Sequence, residues 1–301
     1  MADRIKLGAA LPLSDIGGDP AVVMTFAQAA EALGYDHLCA TDHVLGVNVA
    51  TRTDWGAKNT SDDLFHDPFV LLGFLAAATR KIEFSTQVLI LAQRQTALVA
   101  KQAACVDVLS GGRLRLGVGI GWNEAEFTGL NETWNNRGAR ASEQVEVMRA
   151  LWATKHVTFE GKWHTIPDAG NNPRPAAGTI PVWFGGHADR MIRRTAKLGD
   201  GWMMLEHGPG PEAIAAFDKL RGYAREEGRD PDELGLEVWM SPVGEPDDWR
   251  RDVAFWKDAG VTHITCNNTY RRRYHQRIEG TSLGEHIAGI ERFIDVVRDV
   301  L

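Results

Sequence analysis

The chain has 301 residues, 44% of them hydrophobic and 24% charged, with a formal net charge of −7. That is enough apolar sequence for one large core, and the length suits a (β/α)8 barrel, which takes about 250 residues plus insertions. The acidic balance argues against nucleic acid as the main partner, because duplex binding needs a basic face for the phosphates.

Short β-rich runs alternate with amphipathic helical runs, the pattern of a parallel sheet built from βαβ units. Strand one is read at 5–11, followed by a helix at 19–33 in which Asp19 caps and Pro20 sits in the first turn. Strand two covers 37–41, and the polar stretch 42–66 behind it is too long for an ordinary connection and reads as a functional loop. A helix at 67–79 leads to strand three at 82–90, and a helix at 96–109 leads to strand four at 114–118. A second long loop, 119–138, carries glycines and tryptophans and precedes a helix at 139–153. A hairpin insertion at 157–166 stands before strand five at 180–184. Strands six, seven and eight fall at 201–205, 234–240 and 261–266, separated by helices, and a last helix covers 283–301. Eight pairs in strict order fit a single closed TIM barrel over the whole chain, with an open doubly wound sheet as the alternative.

Cys39, Cys105 and Cys266 are odd in number, far apart and in no C-x-x-C spacing, so they read as buried free thiols of a reducing compartment. The first apolar run is too short for a signal peptide, and the longest, 68–78, is too short to span a bilayer. The expectation is a cytoplasmic enzyme acting on a small molecule, with no membrane partner and a homodimer left open.

The catalytic end of such a barrel is the one where the strands reach their C-termini. Strand two ends in Thr41-Asp42-His43, which brings a carboxylate and an imidazole to the mouth together. His43 suits proton transfer near neutrality, with Asp42 to orient it; equally, Asp42 could cap the loop while His43 packs. After strand four, Gly117, Gly119 and Gly121 alternate, superficially like a dinucleotide fingerprint but too late in the chain for one. Small residues there let the backbone approach a bound cofactor closely. Gly185-Gly186-His187 opens a helix with unpaired backbone N–H groups, a seat for phosphate or a plain turn. His43, His66, Asp67, His187, His207 and His263 could gather a metal, as in a barrel hydrolase, although Asn267 and Asn268 stand where a carboxylate would follow strand eight.

Several segments together resemble the luciferase-like monooxygenase superfamily, most closely its branch that uses the deazaflavin coenzyme F420. They include GYDHLCATDHV (34–44), HDPFVLLGFLAAATRKIEFSTQVLIL (66–91), AKQAACVDVLSGGRLRLGVGIGWNEAEF (100–127), VTFEGKWHTI (157–166) and IPVWFGG (180–186). The resemblance spans about two-thirds of the chain, from Ile5 to Trp202. It implies that Asp42 and His43 are the acidic–histidine pair facing the ring. It also implies that Gln87 and Val88 lie at a strand-three bulge containing a non-proline cis peptide, so that the strand end Thr86-Gln87-Val88 would face the cofactor ring. Gly119, Gly121 and Asn123 would run along the cofactor side chain, and Gly185, Gly186 and His187 would hold its phosphate. The sugar-phosphate dehydrogenases of the family carry an acidic residue near position 122, where this chain has Trp122, which argues against that substrate. Trp55, Trp122 and Trp134 suggest an apolar or planar substrate instead, or else rim packing; Trp55, Trp122 and Glu124 are the candidate substrate contacts. Arg271, Arg272 and Arg273 follow strand eight and either meet the coenzyme's carboxylate tail or belong to a solvated loop or oligomer contact. The resemblance leaves an FMN-dependent monooxygenase and a non-catalytic cofactor-binding barrel as alternatives to hydride transfer with F420.

Overall fold

Helices begin where the sequence places its stop-and-start signals. Asp19 and Asp67, each followed by proline, accept hydrogen bonds from the first free backbone N–H groups of α1 (Pro20–Leu33) and α2 (Pro68–Ala78). Six more major helices follow: α3 (Thr96–Ser110), α4 (Arg137–Ala153), α5 (Asp189–Leu198), α6 (Pro211–Glu226), α7 (Pro246–Asp258) and α8 (Leu283–Val297). Between them run β1 (Lys6–Ala10), β2 (His37–Ala40), β3 (Glu83–Thr86), β4 (Leu114–Gly119), β5 (Val182–Gly185), β6 (Gly201–Met203), β7 (Gly235–Met240) and β8 (His263–Cys266). This is a computed structural model, and it describes residues 4–56, 59–271 and 274–301.

The strands are parallel and neighbour one another in chain order; β1 also pairs with β8 and β3 with β4, so the sheet closes into an eight-stranded barrel. That closure rules out the open doubly wound alternative. Among the described residues no helix is long and apolar enough to cross a membrane. The hairpin insertion is present, pairing Val157–Glu160 antiparallel with Thr165–Ala169.

Three local expectations are corrected. Strand three is not continuous: it stops at Thr86 and pairing with β4 resumes at Leu89–Ile90, and in the break the Gln87–Val88 peptide is cis, as the sequence resemblance implies. The long loop after β4 contains a short helix, Glu124–Gly129, capped by Asn123, whose Oδ1 accepts from Ala125 N at 3.0 Å. Cys105 is only half-buried, unlike Cys39 and Cys266.

Period-two alternation sends one set of strand side chains outward to the helices and the other into the barrel. The outward set is the apolar core: Leu7, Leu38, Phe84, Leu116, Phe184 and Val238 are almost wholly buried there. The inward set is polar. Glu237 on β7, fully buried, pairs with Arg115 on β4 and accepts from Thr265 Oγ1 at 2.6 Å and from Gln87 Nε2 at 2.8 Å. Arg115 also lies 4.3 Å over the Trp183 ring, and Trp183 packs edge-on against His263 at 4.8 Å. Burial alone would raise the Glu237 carboxyl, but the Arg115 charge and the hydrogen bond with His37 outweigh it and hold it well below the usual carboxylate range. Burial and the same Arg115 charge push the His263 imidazole down to about 2, so it stays neutral.

Acid sensitivity follows. Unfolded, His263 takes up its proton near pH 6.5, whereas folded it does so only near 2, so its contribution is intact above 6.5 and declines as pH falls. Glu237, depressed from 4.5, adds a further loss below that value. Chemical denaturation should show that His263→Gln removes up to about 1.4 kcal/mol per pH unit from the stability slope between about pH 6 and 5. Glu237→Ala leaves Arg115 buried and unpaired, and should lower stability by about 3–5 kcal/mol at neutral pH.

Candidate active site

Successive residues of an extended chain point to opposite sides, and this separates Asp42 from His43 as the chain leaves β2. Asp42 is buried; its Oδ2 accepts from Ile90 N at 2.9 Å and its Oδ1 binds Arg94 Nη2 at 2.7 Å. The other arm of Arg94 reaches Asp67 at 2.7 Å, the residue that caps α2. Asp42 therefore staples the loops at the mouth, as the second of the two sequence readings has it, and does not orient His43, as the first has it.

The carboxylate that orients His43 is Glu126, in the short helix after β4. Its Oε2 lies 3.0 Å from His43 Nδ1, while its Oε1 accepts from the backbone N–H groups of Val44 at 2.8 Å and Leu45 at 3.2 Å. Burial pushes the Glu126 carboxyl up, but the His43 hydrogen bond and charge and these backbone donors leave it below its ordinary value. An ionised Glu126 places the His43 proton on Nδ1 and leaves Nε2 as the working nitrogen. Phe65 and Trp122 stand edge-on to the His43 ring at 4.9 and 5.8 Å, and Trp55 lies 5.6 Å from Trp122. Glu124 is exposed at the start of the same short helix and reaches neither His43 nor this aromatic wall by any contact found among the described residues. Trp134 does not join the wall either: it packs on Phe127 at 5.1 Å in a small core with Ile90 and Ala92.

The floor of the mouth is Val88. A Cβ on Gly119 would come within 2.6 Å of one Val88 methyl, and one on Gly185 within 2.8 Å of the other. Those glycines are required by the Val88 side chain, and Gly121 by its left-handed backbone, with φ at 76°. Thr86 is spent on the barrel wall, its Oγ1 donating to Gly117 O at 2.6 Å. Around this floor, Gln87 Oε1, Asn123 Nδ2, Trp239 Nε1 and Asn267 Nδ2 are buried without a hydrogen-bond partner among the described residues. Trp239 also stacks face to face on Tyr270, with ring centroids 5.4 Å apart. Gly185, Gly186 and His187 form the turn into α5, where His187 Nε2 lies 3.3 Å from Glu206 Oε2.

The histidines proposed for a metal do not gather. His43 pairs with Glu126, His187 with Glu206 and His207 with Glu212, while His263 packs on Trp183. Arg271 is exposed, and Arg272 and Arg273 lie outside the described residues. Sequence reasoning missed Glu126, Arg94, Phe65 and Trp239. The one signal for Glu126 was its place in the glycine-bearing loop beside Glu124, which could not tell the two acids apart.

A family model described as luciferase-like monooxygenase matches residues 7–290. The chain is 36% identical over 209 residues to an uncharacterized protein of Mycobacterium tuberculosis, covering 66% of this chain and 70% of that protein. It is 30% identical over 248 residues to the F420-dependent glucose-6-phosphate dehydrogenase of Intrasporangium calvum, covering 77% of this chain and 69% of that one. Its fold is shared with an F420-dependent secondary alcohol dehydrogenase solved with an F420–acetone adduct, at a TM-score of 0.78, 20% identity, and coverage of 98% of this chain and 100% of the other.

The Asp42–Arg94–Asp67 staple carries its own expectation. Arg94→Met leaves the buried Asp42 carboxylate without its cation and should cost about 3 kcal/mol in denaturant unfolding. A loss below about 1 kcal/mol would mean that the backbone donor of Ile90 suffices.

Proposed function

The chain belongs to the luciferase-like monooxygenase family, and on that premise we propose that it is an oxidoreductase that holds coenzyme F420 at the barrel mouth and exchanges a hydride between it and a small organic substrate. The observation that carries this reading is the His43–Glu126 pair beside the Val88 floor. The similarity to a dehydrogenase named for F420 supports the choice of cofactor.

The residues present suit a flat ring with a polar edge. Val88 offers an apolar platform, and the unpartnered atoms of Gln87, Asn123, Trp239 and Asn267 offer an acceptor and several donors around it. The backbone at Gly119 and Gly121 would flank the cofactor side chain, and the Gly185–His187 turn would face its phosphate. When bound, the deazaflavin supplies the carbon that takes or gives hydride. The protein's part is then to bind, orient and manage a proton. Glu126 fixes the His43 ring, so that Nε2 holds or accepts the proton that accompanies oxidation or reduction of the substrate. Phe65, Trp122 and Trp55 shield that nitrogen from water and select planar or apolar substrates.

Titration of the purified chain with F420 and with FMN tests the cofactor: F420 should bind, and tight binding of FMN alone would overturn the assignment in favour of a monooxygenase. His43→Ala should lower turnover about 10²- to 10⁴-fold with F420 affinity nearly unchanged. Glu126→Gln should also lower turnover, because an amide can present N–H to His43 Nδ1 as readily as oxygen and no longer fixes the ring and its proton. Full activity in both variants would return His43 to a packing role.

A further inference from the structure

Thr96 opens α3, Glu143 and Gln144 sit side by side on α4, and His164 stands in the turn of the hairpin insertion. Folding brings the four together. His164 Nε2 lies 2.6 Å from Thr96 Oγ1, and its Nδ1 lies 2.7 Å from Glu143 Oε1. The same carboxylate accepts from the backbone N–H groups of Lys162 and Trp163, each at 2.8 Å. A Cβ on Gly161 would come within 2.5 Å of Glu143 Oε1, so the glycine in the turn is what admits the carboxylate. Burial alone would raise the Glu143 carboxyl, but the Trp163 N–H, the His164 ring and the Lys162 N–H hold it below its ordinary value.

These contacts set the sense of the hydrogen bonds along the row. An ionised Glu143 only accepts, so a neutral His164 carries its proton on Nδ1 and keeps Nε2 as a base. Gln144 Nε2 reaches two backbone carbonyls, Leu91 O at 3.2 Å and Arg94 O at 3.0 Å, which identifies it as the amide nitrogen. It also lies 3.0 Å from Thr96 Oγ1, which accepts there and donates its own proton to His164 Nε2. A hydroxyl, an imidazole and a carboxylate in that order and sense are the parts of an activated nucleophile.

The row faces space. Thr96, Gln144 and His164 line an open cleft of about 350 Å³ together with Arg140, Trp163 and Ile166. That volume suits a small organic molecule. Gln144 is almost wholly buried, and its Oε1 has no hydrogen-bond partner among the described residues. The N-cap of α3, Gln95, makes no side-chain bond, which leaves the first backbone N–H groups beside Thr96 to meet a negative charge. Arg94 also borders the cleft, but its guanidinium is spent on Asp42 and Asp67 at the barrel mouth.

We propose that Thr96, His164 and Glu143 form a second site, in which the Thr96 hydroxyl takes the acyl group of a small carboxylic ester seated in this cleft. Thr96 Oγ1 attacks the ester carbonyl carbon while His164 Nε2 receives its proton, and the carbonyl oxygen gains charge beside the start of α3. The bond to the alcohol oxygen then breaks, and Nε2 gives the proton to the departing alcohol. Water repeats the sequence on the acyl-threonine: it passes a proton to Nε2, which returns it to Thr96 Oγ1 as the carboxylic acid leaves. Glu143 is a positioning residue that holds the ring. The site uses no redox cofactor and does not rest on the function proposed above.

The experiment follows nitrophenolate release when the purified full chain is given p-nitrophenyl acetate, and locates the acetyl group by peptide mass spectrometry. The acetyl group should lie on Thr96. Thr96→Val keeps the shape without the hydroxyl and should lower release about 100-fold or more, whereas Thr96→Ser should retain it. His164→Gln keeps a hydrogen bond to Thr96 without a base and should fall as far as Thr96→Val. Glu143→Gln should lower the maximal rate while the ester concentration giving half of it stays nearly unchanged; an unchanged rate would take Glu143 out of the relay. If the row only ties the hairpin to the barrel, Thr96→Val and His164→Gln lower Tm and leave release unchanged, and that result overturns the site. Acetylation confined to residues elsewhere in the chain overturns it as well. If Thr96→Val does not fold, Thr96→Ser and His164→Gln decide: release kept in the first and lost in the second supports the site, and equal release in both overturns it.

Discussion

The buried charge pair of Arg115 and Glu237 is the constraint from which the interior of this barrel is organised. A lone carboxylate in that position would be driven to give up its charge. Here its two oxygens gather Arg115 from β4, Thr265 from β8 and Gln87 from the end of β3, with His37 of β2 also within reach. Four sectors of the wall are thereby tied to one point on the axis. Gln87 is the upper tie, and the residue after it, Val88, forms the floor of the mouth. Gly119 and Gly185 give way to its methyl groups, so the polar interior and the apolar platform above it are parts of one arrangement.

Above that floor, two carboxylates divide the work. Asp42 is enclosed by Arg94 and the Ile90 N–H, and it joins the loop after β2 to the start of α2 through Asp67. Glu126 serves the same loop from the opposite side, holding the Val44 and Leu45 backbone with one oxygen and His43 with the other. The imidazole is thus carried on a loop, yet its ring orientation is set by a buried carboxylate that also holds the loop backbone.

Overall charge is a poor guide to this surface. The chain is acidic, at −7, yet Arg137 on α4 and Arg190 and Arg194 on α5 have no carboxylate ion-paired to them among the described residues. An acidic average sets the mean potential of the surface, whereas a local group of arginines still makes the field around itself positive. The two facts are compatible because screening confines exposed charges to a range of about 10 Å.

The features that the sequence determined by itself are those set by local chemistry. The alternation of strands and helices, the Asp-Pro helix starts at 19 and 67, the length of the loop after β2 and the arrival of His43 at a strand end all follow from residues close together in the chain. Where equivalent-looking neighbours competed, local pattern could not choose. Asp42 adjoins His43 and yet faces away from it; Glu124 and Glu126 stand two residues apart, and only the second is buried against the imidazole. Trp134 reads like Trp55 and Trp122 but packs on Phe127. The partners that decide these roles are far apart along the chain, 83 residues for His43 and Glu126 and 122 for Arg115 and Glu237. Only barrel closure brings such pairs within hydrogen-bonding distance, and burial then makes each pairing compulsory, because a charge left alone there would be too costly to keep.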